Sequence, residues 1–138
     1  MKRKMPRDRV AISHEVEISG VHVNIQLGFY EDGKLGEIFL QVAKEGSTLA
    51  GLMDAWAIAV SSAIQQGCDP VAFLNQFVGA RFEPQGHVDG EYASSIIDYV
   101  ARYAIERAVI QRWGDWARKG GRLSQSGAPI DWQIGEPQ

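Results

Sequence analysis

The hydrophobic period of this chain changes once, at Gly46-Ser47-Thr48, and that change commits it to a sheet followed by helices. Apolar residues spaced by two line one face of a strand, whereas steps of three and four line one face of a helix. Before the change, Ile12, His14, Val16 and Ile18 alternate with Ser13, Glu15 and Glu17. After Ser19-Gly20, the residues Val21, Val23, Ile25, Leu27 and Phe29 alternate with His22, Asn24 and Gln26. Asp32-Gly33 supplies a hairpin signal, because Gly accepts positive φ at little cost. Ile38, Leu40 and Val42 then alternate with Glu37, Phe39 and Gln41. The pattern predicts a three-stranded antiparallel meander from Val10 to Ala43, with one buried and one wetter face.

Past the change, Leu49, Leu52, Met53, Trp56, Val60, Ala63 and Ile64 predict an amphipathic helix. Ser47 or Thr48 is its natural N-cap and Gly67 its natural stop. Asp69-Pro70 restarts a helix through Phe73, Leu74 and Phe77 to Gly79, with Asp as cap and Pro at the first position. Residues 81–90 read as a loop. A long helix is expected from Glu91 or Tyr92 to near Trp113-Gly114, with Ile96, Ile97, Val100, Ala104 and Ala108 on one face. The expected fold class is α+β: an N-terminal antiparallel β-meander of about three strands packed against two to three C-terminal helices. Residues 1–9 are expected as a basic arm, 10–117 as a single α+β domain, and 118–138 as a flexible tail rich in Gly, Pro and Ser. So thin a core makes a homo-oligomer the expected state.

A chain of 138 residues fits one core of common size. Its 45% hydrophobic and 22% charged residues exclude wholesale disorder and collagen-like sequence. The single Cys68 excludes an internal disulfide and a cysteine metal cluster. No apolar run approaches the ~20 residues that span a bilayer. No hydrophobic signal region follows the basic start, so a cytoplasmic location is expected. Lys2, Arg3, Lys4, Arg7 and Arg9 concentrate positive charge at the start. The remainder holds 9 basic against 16 acidic residues, and an acidic body argues against a nucleic-acid partner. The arm itself reads as a solvated, frayed end.

Catalytic groups look sparse. Cys68 has no His nearby in sequence to act as its base. His14, His22 and His87 lack metal-ligand spacing, and His14 and His22 fall on opposite phases of their strands. The acid pairs Glu15/Glu17 and Asp89/Glu91 read as solvated surface. The expectation is a protein that is not an enzyme, with no metal and no cofactor.

Ligand binding has more to draw on. Lys44 to Thr48 takes the chain from a strand to a helix N-terminus, where free N–H groups favour an anion, so Lys44 and Ser47 are candidates. The alternative is ordinary capping. Arg81 and Phe82 stand side by side on a Pro- and Gly-shaped loop, where they can clamp a phosphate and stack a base. Alternatively Phe82 is core and Arg81 pairs with a surface acid. Tyr99 and Arg102 on the long helix can line the same pocket, while Asp98, Arg102 and Glu106 at i, i+4 spacing can equally pair among themselves.

Three segments, GEIFLQVAKEGSTLAGLMDAWAIAVSSAIQQG (36–67), FVGARFEP (77–84) and ASSIIDYV (93–100), together with GVHVNIQLGFYEDG near the start, resemble a known region. It is the C-terminal, TSCPD-related domain of adenosylcobalamin-dependent (class II) ribonucleotide reductases. The resemblance is collinear over about residues 5–107 and implies the fold and an association with nucleotides. It carries over no catalytic residues, since the reductase barrel and its cysteines have no counterpart here. The Thr-Ser-Cys-Pro-Asp motif is absent, with Ala93-Ser94-Ser95-Ile96 read at its place. The sheet-then-helices layout is also similar to phage Thoeris anti-defence proteins, which sequester a cyclic ADP-ribose signal. The function expected first is a nucleotide-binding protein, a phage sponge for such a signal. The alternative is an accessory or regulatory subunit of a class II, vitamin B12-dependent ribonucleotide reductase.

Overall fold

The computed structural model describes residues 2–43 and 47–109. Three antiparallel strands form a meander in the order β1 (Ala11–Ile18), β2 (Val21–Phe29), β3 (Leu35–Val42). The β1–β2 turn is tight because Ser19 and Gly20 both take positive φ, 47° and 82°, the twist that suits a two-residue hairpin. His14 lies opposite Ile25 and Val16 opposite Val23, while Leu27 faces Ile38 on the other side of β2. That register puts Val16, Ile18, Val23, Ile25, Leu27, Ile38 and Leu40 on one buried face. The opposite face, with Ser13, Glu15, His22 and Gln26, is solvated except at the Gly28–Glu37 pair.

Helix α1 (Thr48–Gln65) follows, and Ser47 caps it by accepting from the Ala50 N–H at 3.1 Å. Met53, Ala57, Val60 and Ile64 turn inward onto the sheet. The short α2 (Pro70–Asn75) starts at the Asp69 cap with Pro at its first turn and buries Leu74. Helix α3 (Ile96–Val109) completes the layer through Ile96, Val100, Ala101 and Ala104. The fold is therefore α+β, a sheet followed by helices on one face.

Between α2 and α3 the structure departs from the expected loop and early helix. Gly86–Val88 (β4) and Glu91–Ala93 (β5) pair as a small hairpin. Asp89 and Gly90, at φ 50° and 84°, form its turn. The helix begins at Ile96 rather than Glu91, because Ser95 supplies its cap: Ser95 Oγ accepts from the Asp98 N–H at 2.9 Å. The predicted end near Trp113-Gly114 and the tail 118–138 lie outside the described residues.

The start of the chain is tied down rather than frayed. The Arg3 N–H donates to the Gln65 carbonyl at 2.7 Å, and its guanidinium pairs with Asp32 at 3.1 Å over the Tyr30 ring. Arg9 pairs with the buried Glu37. Gly28 permits that pair, since a Cβ there would collide with the Glu37 side chain.

α1 also does the work of a fourth strand. The polar backbone groups of Ile38 and the carbonyl of Gly36 turn away from β2 toward the open edge, where α1 side chains meet them. Ser61 Oγ accepts from the Ile38 N–H at 2.8 Å and donates to its carbonyl at 3.0 Å, and Gln65 donates to the Gly36 carbonyl. Such capping blunts an edge otherwise open to pairing. Ser61→Ala strips two buried backbone groups of their partner, and a loss of about 1–3 kcal/mol in urea unfolding is expected.

Candidate functional site

The densest polar constellation lies at the start of α3 and is built around Asp98. This carboxylate is 4% exposed. It accepts from the Gly79 N–H at 2.7 Å and the Ser94 N–H at 3.1 Å. Ser95 Oγ in turn accepts from the Asp98 N–H, so the two side chains satisfy N–H groups at Asp98 and at Ser94, one residue before the cap. Burial works to raise the Asp98 carboxyl, but the Arg102 guanidinium and the two N–H donors outweigh it and hold it below the ordinary carboxylate value.

Arg102 spreads its fork over the same ground. Nε and Nη2 donate to Asp98 at 3.3 and 3.0 Å, Nη1 donates to Glu91 at 3.0 Å, and Nη2 also reaches the Tyr92 carbonyl at 3.0 Å. Desolvation lowers its pKa, yet Asp98 and Glu91 together raise it. The group is a clasp joining α3 to the β4–β5 hairpin and, through Asp98, to the end of the α2 segment.

A second cluster stands between β1 and α3. His14 stacks on Tyr103 at 4.3 Å between ring centroids, and Arg107 lies over the same Tyr103 ring at 4.3 Å. His14 Nε2 and Tyr99 Oη are 2.9 Å apart. Burial, then Arg107, lowers the His14 pKa against the pull of Asp89, which favours a neutral ring. Burial, with Asp89 and Tyr103 adding to it, pushes Tyr99 up to about 12. Tyr99 thus stays protonated, and its hydroxyl and the His14 Nε2 share one hydrogen bond.

These contacts place the predicted ligand residues. Tyr99 is buried against His14, and Arg102 is committed to Asp98 and Glu91. Phe82 is half-buried against the core, with its N–H on the Ser94 carbonyl. Arg81 is exposed on the loop before β4. Ser47 serves as the α1 cap, and Lys44 lies outside the described residues. Arg81 and Phe82 are brought near α3 through Ser94, but Tyr99 and Arg102 point to different neighbours and Ser47 belongs to another helix. The sequence reading missed Ser95 and Asp98 as a cap, although Ser-x-x-Asp before an apolar run is its signature. It also missed Tyr103 as the partner of His14, which only the approach of β1 to α3 reveals.

Clefts open on the surface of the described residues. One, of about 760 Å³, is lined by Glu15, His22, Asn24, Gln41 and Asp54 among others. A second, of about 690 Å³, is lined by Arg3, Tyr30, Lys34, Cys68 and Val109 among others. None of Arg81, Phe82, Tyr99, Arg102 or Ser47 lines either. Among the described residues no three of His, Cys, Asp and Glu are grouped to hold a metal ion, and no helix is long and apolar enough to cross a membrane.

The chain is 39% identical over 105 residues to the vitamin B12-dependent ribonucleotide reductase of Rhodopirellula baltica, covering 74% of this chain and 10% of that protein. The namesake of Streptomyces coelicolor is 38% identical, covering 74% and 11%, and that of Bradyrhizobium diazoefficiens 40%, covering 73% and 8%. The chain thus spans about a tenth of the length of these curated relatives. No solved structure matches. The names correct one expectation: a protein set apart from enzymes is not what this sequence resembles, since each relative is a reductase with the matched stretch inside its chain.

The Thr-Ser-Cys-Pro-Asp string does not occur, but Ser95 and Asp98 stand three residues apart, as its Ser and Asp do, with Ile96 and Ile97 between them. In this chain those two polar residues build the start of α3. The family model described as the TSCPD domain matches residues 1–109, and the chain belongs to that family.

Proposed function

We propose that this chain serves a vitamin B12-dependent ribonucleotide reductase as its accessory or regulatory domain or subunit, in the cytoplasm. The observation that carries this reading is the identity of 34–40% over 105 residues to seven such reductases. The likeness spans both layers of the fold, so what is shared is a whole folding unit rather than a motif. A unit kept intact inside a chain some ten times longer has a neighbour to dock against.

The nucleotide-sponge reading finds less support. Its phosphate-gripping Arg102 has four hydrogen bonds to make within the chain. Its stacking Tyr99 is buried on His14, leaving Arg81 as the exposed cation of the set among the described residues.

The test pairs the chain with a vitamin B12-dependent reductase from which the matched region has been deleted. Co-elution, with a Kd in the low micromolar range or tighter (about −8 kcal/mol), and a change in reductase turnover or its nucleotide control are expected. Failure to bind the deleted reductase, with turnover unchanged, would overturn the assignment.

A further inference from the structure

We infer that the cleft between the N-terminal stretch and the last turn of α3 is the face this domain turns toward the rest of a vitamin B12-dependent reductase. The inference rests on the accessory reading above and assigns that reading a surface. The family model spans residues 1–109, and both ends of that unit meet at this one cleft. Arg3, near one end, lines it together with Ala108 and Val109 at the other. The first end is fastened there. The Arg3 N–H donates to the carbonyl of Gln65, itself a lining residue, at 2.7 Å, and Tyr30 Oη donates to the Arg3 carbonyl at 2.8 Å. The second end is open there, since Val109 is 51% exposed.

In a reductase about ten times the length of the matched stretch, the connecting chain leaves the unit by one of these ends or by both. Whichever carries it, the connection departs at the cleft. A tether at that point holds the neighbouring body beside this face at high effective concentration. Leu52 and Ile58, the most exposed large apolar residues, do not line the cleft and gain nothing from the tether.

The makeup of the cleft fits a partner of definite chemistry. Leu35 and Ile64 give it buried apolar walls, and Val109 carries that surface outward. Lys34 is exposed on the same cleft. Arg3 already pairs with Asp32, so Lys34 is where a partner's carboxylate is expected. An apolar side chain on the walls with an acid at the rim is the ordinary anatomy of a protein interface.

Cys68 lines this cleft, is exposed and is the chain's one cysteine, so its thiol reports whether the cleft is covered. The full chain is mixed with a vitamin B12-dependent reductase from which the matched region has been deleted, and maleimide alkylation is followed with and without that partner. Binding should slow Cys68 roughly tenfold or more, because reactivity follows access. In a Cys68→Ser background, Leu52→Cys should react at one rate in both states. Val109→Arg, which puts a cation at a helix C-terminus where it is tolerated, should leave the melt unchanged and weaken the complex roughly tenfold. Lys34→Glu should weaken it about fivefold, a gap that added salt narrows.

A complex in which Cys68 reacts as fast as before, or one that Val109→Arg does not weaken, would overturn the inference and leave the accessory assignment standing. Protection of Leu52→Cys in place of Cys68 would do the same and move the interface to α1. A Cys68 far slower than Leu52→Cys in the chain alone would overturn it too, by giving the cleft to the chain's own residues 110–138. No complex at all would fail the assignment, and the inference with it.

Discussion

Replacing Asp98 with alanine is expected to cost about 3–5 kcal/mol, the range for removing one partner of a buried, hydrogen-bonded charge pair. The carboxylate holds three separate pieces of chain: the Gly79 turn after α2, Ser94 before α3, and Arg102 one turn further along that helix. Truncation leaves two N–H groups without their acceptor and Arg102 with only Glu91 and the Tyr92 carbonyl. Asp98→Asn keeps the shape and one acceptor and should lose less, about 1–3 kcal/mol. The pH dependence separates charge from packing. Because the folded carboxyl titrates below its ordinary value of 3.8, its contribution is complete above that value and disappears as pH falls through the lowered one. Urea unfolding at neutral pH and again near pH 3 should show the gap between wild type and Asp98→Ala closing in acid. A gap that does not depend on pH would mean the loss is steric.

Phe29→Ala is expected to cost a similar amount, about 3–5 kcal/mol, for an unrelated reason. Phe29 is the largest fully buried side chain in the protein's described residues. It sits at the end of β2, just past the register shift at Gly28/Phe29, with Leu35 opposite. Its own N–H is held by the Val10 carbonyl at 2.9 Å. Removing the ring leaves a cavity whose walls are strands already fixed in register, so collapse is limited and the loss falls at the upper end. This loss should be the same at neutral and acid pH, the opposite of Asp98→Ala in the same urea series. A cost below about 1.5 kcal/mol would place it with well-accommodated swaps and would mean that this corner repacks.

How much of this was legible beforehand differs by element. The meander was legible because a half-buried strand displays its orientation in every second residue: Val21 to Phe29 need no knowledge of what covers them. α1 and α2 were legible from Ser47 and from Asp69-Pro70, whose capping is local chemistry. The β4–β5 hairpin was not, although Asp89-Gly90 announces its turn, because strands of three residues are too short to show a period. The start of α3 was misplaced for a related reason. Glu91 and Tyr92 are compatible with a helix, and pairing with Val88 and His87 is what draws them into a strand.

The candidate site divides along the same line. Sequence spacing alone paired Asp98 with Arg102, since residues four apart on a helix are neighbours whatever surrounds them. It could not say that Gly79 and Ser94 converge on that carboxylate, nor that His14 would lie against Tyr99 and Tyr103, 85 residues away for the hydrogen-bonded pair. Arg81, Phe82, Tyr99 and Arg102 formed a plausible ligand set as long as each side chain was treated as free. The tertiary structure gave Arg102 to acids and Tyr99 to a histidine. Local order, period and capping depend on residues a turn or a strand apart, so the sequence by itself determined them. Which polar groups remain available to a partner depends on contacts between distant segments, and only the packed sheet and helices decided that.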